Sequence, residues 1–499
     1  MANAITELEN LAFQITKLRL KFPGEDSLLF KDLSFAVQKG EKVLLLGPSG
    51  CGKSTLLQVA SGIVPKSFEL PMKAETLQLP ESWGFVFQDP DTQFCMPYVD
   101  EELAFVLENL NVPREKMPSL IVASLERVGL HLEEIHVPIL ELSQGMKQRL
   151  ALASVLLMEP EVLFLDEPSA LLDPEGTEQI WSSIQAATAE QTVVIVEHKI
   201  EQIANWIDRV VLFTDDGKIL ADGPPHTIFS DFKDELIQYG IWYPSVWDDY
   251  LSSDEYLTLA CNRPSTRTFE VLHAETFCGY RGKSPVIQVE SASIAQGSWI
   301  AILGENGSGK SSLLLSLMQL LKTTGSLTVN GQPIVQKKRR HSLPAGLSLV
   351  FQNPELQFVT NSITEELMLS LQGVQAVKAE QHAEEMMELF NLPNSGNRHP
   401  YQLSVGQKRR LSVATALTSS TDILLLDEPT FGQDARNTFL MLEKLESLRK
   451  DGMTIVMVTH DLEIASHFAT EQWTVEEGKL VSCTQTQIGG VTDACLVYS

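Results

Sequence analysis

Short runs of β-branched and leucine residues alternate along this chain with longer stretches whose apolar positions recur at helical spacing. Unbroken apolar runs of four or five residues between polar flanks read as strands buried on both faces. In the first half these are Val43–Leu46, Val162–Leu165 and Val193–Val196; in the second, Ile300–Leu303, Ile423–Leu426 and Thr454–Val458. Phe13–Phe22 and Ser34–Val37 alternate in polarity and read as antiparallel strands ahead of the first run. Parallel-type strands separated by helical pattern predict an α/β fold with a largely parallel sheet.

The whole pattern occurs twice. Corresponding points lie 257 positions apart (Gly47 and Gly304), 261 apart (Asp166 and Asp427) and 262 apart (His198 and His460). A drift of a few residues is what small loop insertions leave in a duplicated unit. The copies are expected over residues 10–230 and 266–490. Residues 231–265 between them are acidic and aromatic, with Trp242, Tyr243, Trp247 and Tyr250. Those rings are expected to dock this linker onto the first copy. Gly489–Ser499 is expected to be a loose tail.

Each copy carries one loop with a plain chemical reading. Gly47-Pro48-Ser49-Gly50-Cys51-Gly52-Lys53-Ser54-Thr55 follows the strand Val43–Leu46 and precedes a helical pattern. Gly304-Glu305-Asn306-Gly307-Ser308-Gly309-Lys310-Ser311-Ser312 follows Ile300–Leu303 in the same way. Glycines at positions 47, 50 and 52, and at 304, 307 and 309, let backbone N–H groups converge on phosphate oxygens at a helix N-terminus. Lys53 and Lys310 supply point charges for the outer phosphates of a nucleoside triphosphate, and the Ser54 and Ser311 hydroxyls are candidate Mg²⁺ ligands. Thr55 and Ser312 complete the two loops. Cys51 reads as a small residue tolerated in its loop.

Composition narrows the setting. The chain has 499 residues, 43% hydrophobic and 21% charged, with a formal net charge of −27. That charge argues against embracing nucleic acid. No apolar run approaches the ~18–20 residues that cross a bilayer, and Met1 to Phe13 lacks a signal-peptide pattern. Six cysteines without close pairing disfavour a disulfide framework or a cysteine metal site. A cytosolic protein is expected.

Further segments follow in the same order in both copies. The first has Phe87-Gln88-Asp89-Pro90, Leu142-Ser143-Gln144-Gly145-Met146, Leu165-Asp166-Glu167-Pro168 and Val196-Glu197-His198. The second has Phe351-Gln352-Asn353-Pro354, Leu403-Ser404-Val405-Gly406-Gln407, Leu426-Asp427-Glu428-Pro429 and Thr459-His460-Asp461. In these elements the chain resembles the ATP-binding-cassette (ABC) ATPases over nearly all of both halves. The resemblance implies two tandem P-loop NTPase domains, each a mainly parallel sheet with an antiparallel β subdomain and a helical subdomain. It also implies two ATP molecules held between the halves, each by the glycine loop of one copy and the Leu-Ser-x-Gly signature of the other.

The same resemblance assigns roles that suit phosphoryl transfer, which needs positioning and charge more than covalent chemistry. Asp166 and Asp427 orient the Mg²⁺ shell. Glu167 and Glu428 polarise the attacking water, and His198 and His460 contact the γ-phosphate. Gln88 and Gln352 sense metal and water and open the helical insertion. Ser143 with Gly145, and Ser404 with Gly406, offer donors to the γ-phosphate of the opposite site. Phe22 and Tyr280 either stack on adenine or pack in the core. The usual signature Leu-Ser-Gly-Gly-Gln is altered in both copies, and Met146 replaces a polar residue. The two sites are therefore expected to hydrolyse ATP unequally.

Gln88-Asp89-Pro90-Asp91-Thr92-Gln93-Phe94 and Gln352-Asn353-Pro354-Glu355-Leu356-Gln357-Phe358 resemble the energy-coupling-factor importers of vitamins and transition metals. The acidic stretches at Asp100-Glu101-Glu102 and Glu365-Glu366 do too, as counter-charges for a partner's arginines. Fusion of both ATPases resembles the hydroxymethylpyrimidine/thiamine importers of that group. Partners are then an integral membrane coupling protein and a substrate-binding membrane subunit, with the chain peripheral on the cytoplasmic side of the cell membrane. The alternative is a ribosome-associated translation factor with tandem cassettes; an acidic linker, where those carry a long basic helical one, argues against it.

Overall fold

A computed structural model describes residues 10–25, 27–48, 50–170, 172–261, 269–334, 344–369, 376–393, 396–417 and 421–486. The expected tail, Gly489–Ser499, lies outside them. The chain divides into two compact units, Met1–Val246 with Asp434–Arg436, and Trp247–Gln433 with Asn437–Ser499.

The first unit holds two sheets. Strand β1 (Leu11–Leu20) pairs antiparallel with β2 (Phe30–Gln38), with β4 (Met72–Lys73) and with β5 (Thr76–Gln78). The second sheet runs β10-β9-β3-β8-β7-β6, built from β3 (Lys42–Leu46), β6 (Trp83–Val86), β7 (Val162–Asp166), β8 (Thr192–Val196), β9 (Arg209–Phe213) and β10 (Ile219–Gly223). All its pairings are parallel except β9 with β10. Every residue of β3, β7 and β8 is buried, as expected of strands covered on both faces. Helices α1 (Lys53–Ser61), α2 (Val99–Asn109), α3 (Met117–Arg127), α4 (Gln144–Leu156), α5 (Pro174–Ala187), α6 (Pro225–Asp231) and α7 (Lys233–Tyr239) are the unit's main helices.

In the second unit the antiparallel and parallel parts form one ten-stranded sheet. The antiparallel part is β11 (Glu270–Arg281), β12 (Ser284–Ala295), β14 (Lys322–Val329) and β15 (Gln332–Pro333). Strands β13 (Trp299–Leu303), β16 (Leu347–Val350), β17 (Ile423–Asp427), β18 (Thr454–Val458) and β19 (Glu471–Glu476) run parallel, with β20 (Lys479–Gln485) antiparallel to β19. A single parallel pairing of Gln288 with Lys479 joins the parts, and helices α9 (Asp254–Cys261), α11 (Ile363–Leu369) and α12 (Ala376–Leu389) belong to this unit.

The linker aromatics do not all go where the sequence places them. Trp242 and Tyr243 are buried in the first unit, but Trp247 and Tyr250, on helix α8 (Val246–Leu251), belong to the second. Tyr250 stacks on Phe439 with centroids 3.9 Å apart and planes at 5°, and Trp247 meets the same ring edge-on at 5.0 Å. Phe439 lies on α14 (Ala435–Lys450), beside the buried Leu442 and Leu445. The equivalent position on α5 is the exposed Glu178, which offers a ring nothing apolar to cover.

Candidate functional site

Both glycine loops stand between a buried central strand and a helix. Strand β3 enters the first, and α1 leaves it at Lys53; β13 enters the second, and α10 (Lys310–Leu317) leaves it at Lys310. Gly52 and Gly309 cap these helices at φ 102° and 111°, and neither helix has a side-chain cap. Their first N–H groups therefore remain as donors. A side chain at 309 would meet the Val286 carbonyl at 2.8 Å, so the close approach also requires glycine.

The lysines fold back over their loops. Lys53 Nζ donates to the carbonyls of Gly47 (2.7 Å) and Pro48 (3.0 Å), and Lys310 Nζ to those of Gly304 and Glu305 (2.7 Å each). Ser54 Oγ donates to Asp166 Oδ1 at 2.8 Å, and Ser311 Oγ to Asp427 Oδ1 at 3.1 Å. A hydroxyl and a carboxylate side by side are hard oxygen donors of the kind Mg²⁺ takes. Burial pushes the Asp166 and Asp427 carboxyls up to about 6, against the hydrogen bonds from the serines. A cation bound beside them would offset that penalty.

Each glutamate one residue on stands in the left-handed region, with φ 48° at Glu167 and 50° at Glu428. That turn carries the carboxylate off the strand end. Glu167 Oε1 lies 3.1 Å from His198 Nε2, while Oε2 accepts from Gln88 Nε2 at 2.8 Å. Glu428 repeats this with His460 at 3.0 Å and Gln352 at 3.3 Å. Burial raises both glutamates, but the histidine hydrogen bonds and charges with the P-loop lysines outweigh it, leaving each below its ordinary value. Burial lowers His198, and the hydrogen bond and charge of Glu167 more than reverse that. The structure thus brings together, in each unit, the glycine loop, lysine, serine, aspartate, glutamate, glutamine and histidine singled out from the sequence.

In the second unit Asn306, Gly307, Gly309, Lys310, Ser311, Ser312, Gln352 and Glu428 line a cavity of about 570 Å³, while Asp427 and His460 are not on its wall. That volume is in the range of small-molecule sites. Tyr280 is not on this wall; its neighbour Arg281 is, with Pro285 and Val286. Successive residues of a strand face opposite sides, and the Tyr280 hydroxyl instead accepts from Thr324 Oγ1 at 3.5 Å. In the first unit Phe22 is exposed, as a stacking ring would be.

The signature residues Ser404 and Gly406 are absent from the cavity wall. Ser143 and Ser404 cap α4 and α13 (Val405–Ala416) and are exposed. Ser404 takes part in a full capping box: its Oγ accepts from Gln407 N, and Gln407 Oε1 accepts from Ser404 N. Met146 has no such acceptor, so the Ser143 side chain keeps, among the described residues, only the bond from Met146 N.

The acids near the glutamine loops need revision. Glu102 and Glu366 are each 3% exposed and accept backbone N–H bonds within their own units, from Cys95 and Met96 and from Val359 and Thr360. They are structural acceptors and are not available to a partner. Asp100 faces His136 Nδ1 at 3.0 Å. Glu101 and Glu365 remain exposed. Asp91 and Glu355 pair with Lys147 on α4 and Lys408 on α13, tying each glutamine loop to its signature helix.

Two buried groups have no role in the sequence analysis. Glu197 accepts from Ser169 Oγ at 2.6 Å and from the His198 N–H at 2.7 Å, bracing the histidine loop. Arg409 reaches the backbone of Glu428. Both were visible as differences between the copies, Glu197 against Thr459 and Arg409 against Gln148.

The sequence profile described as ABC transporter matches residues 30–170 and again 288–431. Over 490 residues the chain is 36% identical to the "Putative HMP/thiamine import ATP-binding protein YkoD" of Bacillus subtilis, covering 91% of this chain and 88% of that one. It is 31% identical to a "Putative ABC transporter ATP-binding protein" of Methanosarcina mazei, covering 96% and 88%. Among solved structures it is similar to the archaeal ribosome recycling factor aABCE1 in complex with ribosomal stalk protein aP1, with TM-score 0.64, 17% identity, and coverage of 95% of this chain and 91% of that one. It is also similar to an RNase-L inhibitor, with TM-score 0.61, 18% identity, and coverage of 94% and 91%. At such identities these likenesses speak for the fold.

Proposed function

This chain belongs to the ABC transporter family as a tandem-cassette ATPase, and from that premise we propose that it is the energy-coupling subunit of a membrane importer. Its cargo is a vitamin precursor or transition metal, best matched by hydroxymethylpyrimidine or thiamine. The observation that carries this reading is the 36% identity to the Bacillus subtilis protein across nearly the whole chain. The energy-coupling-factor type is supported by the paired Gln-x-Pro-acid-x-Gln-Phe motifs. In these, Gln93 and Gln357 donate to carbonyls of the signature helices at 3.3 and 2.8 Å.

In this reading ATP sits in two composite sites, each joining a glycine loop to the signature of the other copy. Lys53 and Lys310 exchange loop carbonyls for phosphate oxygens. Ser54, Asp166 and Gln88, and Ser311, Asp427 and Gln352, would hold Mg²⁺, which when bound neutralises phosphate charge. Glu167 and Glu428 orient and polarise water, steadied by His198 and His460. Phe22 takes adenine in the first copy; in the second, Arg281 and Pro285 are better placed than Tyr280.

No helix among the described residues is long and apolar enough to cross a membrane. The link to the bilayer is then made through a membrane coupling protein and a substrate-binding membrane subunit, on the cytoplasmic side. Their helices would meet the exposed Leu356 and Val359, with Glu101 and Glu365 as the remaining counter-charges. Affinity purification of the tagged full chain from detergent-solubilised cells tests this: small integral membrane proteins should co-purify. Sedimentation with ribosomes and no membrane protein would overturn it.

A further inference from the structure

The two cassettes hold their water-polarising glutamates differently. Positions 148 and 409 are equivalent, each three residues beyond the signature glycine, and each side chain is almost fully buried, at 2% and 6% exposure. Gln148 Nε2 donates to the Phe87 carbonyl at 3.1 Å, one residue before Gln88. Arg409 Nη1 instead donates to the Glu428 carbonyl at 2.9 Å. That carbonyl also accepts from Phe431 N at 3.2 Å, whereas its counterpart on Glu167 accepts from Ala170 N at 3.1 Å and has no side-chain donor among the described residues.

Glu167 and Glu428 share a strained φ, 48° and 50°, which persists only where surroundings over-determine it, and Arg409 adds to Glu428 a constraint that Glu167 does not have among the described residues. Arg409 also places a buried cation beside Asp427 and Glu428. Burial pulls its guanidinium below the ordinary range, and the two carboxylates act against that. Its Nε has no partner among the described residues. A buried guanidinium left partly unsatisfied costs stability, which favours a functional reason for keeping it.

We infer that Arg409 is a positioning residue for Glu428, fixing the glutamate's backbone, and that its replacement by Gln148 in the first cassette makes the two catalytic carboxylates inequivalent. This rests on the proposed role of Glu428 and on the composite sites, and not on any cargo. The second cassette's glutamate has a side-chain donor on its backbone carbonyl; the first has none among the described residues.

The test is ATP hydrolysis by the full chain in two backgrounds. With Glu167→Gln, turnover depends on Glu428; with Glu428→Gln, on Glu167. Arg409→Gln is expected to lower kcat roughly tenfold to a hundredfold in the first background, the scale of a misplaced group, with KM for ATP unchanged. In the second background kcat should hold, although α13 contributes Ser404 to the Glu167 site there. Arg409→Lys, which keeps the charge and a donor, should recover at least half of the lost kcat. Arg409→Met replaces the Gln variant if that does not fold, judged by its thermal midpoint. Equal losses in both backgrounds, a loss only with Glu428→Gln, a rise in KM, no loss, or no recovery by lysine each overturns the inference. Wild-type turnover by Glu428→Gln alone would instead strike the role of Glu428 itself.

Discussion

The carboxyls of Asp166 and Asp427 sit at about 6 because burial disfavours their charge. A group raised in the folded state destabilises that state where it is ionised, and the penalty is relieved progressively as pH falls from the folded pKa towards the unfolded one. Taking about 6 folded against 3.8 unfolded, acidification from about pH 7 to 5.5 relieves about 0.8 kcal/mol per carboxyl, or about 1.5 kcal/mol for the pair. His198, raised above its ordinary value by Glu167 against the effect of burial, acts in the same direction and is kept in the control. Glu167 and Glu428, lowered, lose their contribution only below about pH 4.5, outside this window. The assay is urea unfolding without Mg²⁺ or nucleotide at both pH values, for wild type and for Asp166→Asn/Asp427→Asn. Each unit's transition should gain about 0.8 kcal/mol more in wild type than in the double variant on acidification, about 1.5 kcal/mol over both. Equal pH slopes would refute the claim that burial holds these two carboxyls above their ordinary range.

Two further outcomes follow from single contacts. Met146→Gln supplies the acceptor that Gln407 provides in the second cassette, so it should stabilise the first unit by about 0.5–1 kcal/mol in urea unfolding. Tyr250→Ala removes the ring stacked on Phe439 and should destabilise the second unit by about 3–5 kcal/mol. If the first unit's transition moves instead, the linker's assignment is wrong.

Much of this was legible in the sequence because its signals are local. Leucine and valine runs such as Val162–Leu165 have one stable use, as strands covered on both faces, and the loops they feed are fixed by glycine geometry and helix starts. The motif order put Glu, His and Gln of each unit in one site through the family resemblance, but not in contact with one another. What stayed hidden depends on what a residue faces across the fold. Glu102 and Glu366 look like solvated helix acids until the backbone N–H groups they satisfy are in view. Tyr280 and Arg281 differ only by which side of β11 they occupy, and a kink or bulge of one residue decides that. The linker's choice of cassette turns on Phe439 against Glu178, a comparison between copies that periodicity alone does not make.

The composite arrangement of the two ATP sites is the claim on which the functional account turns. Paired substitutions measure it directly through ATP hydrolysis by the full chain. Lys53→Ala with Ser404→Arg should damage one site twice and leave the other working, whereas Lys53→Ala with Ser143→Arg should damage both and abolish turnover. The opposite pattern, with activity surviving Lys53→Ala/Ser143→Arg and lost in Lys53→Ala/Ser404→Arg, would show each pocket completed within its own half and contradict the account.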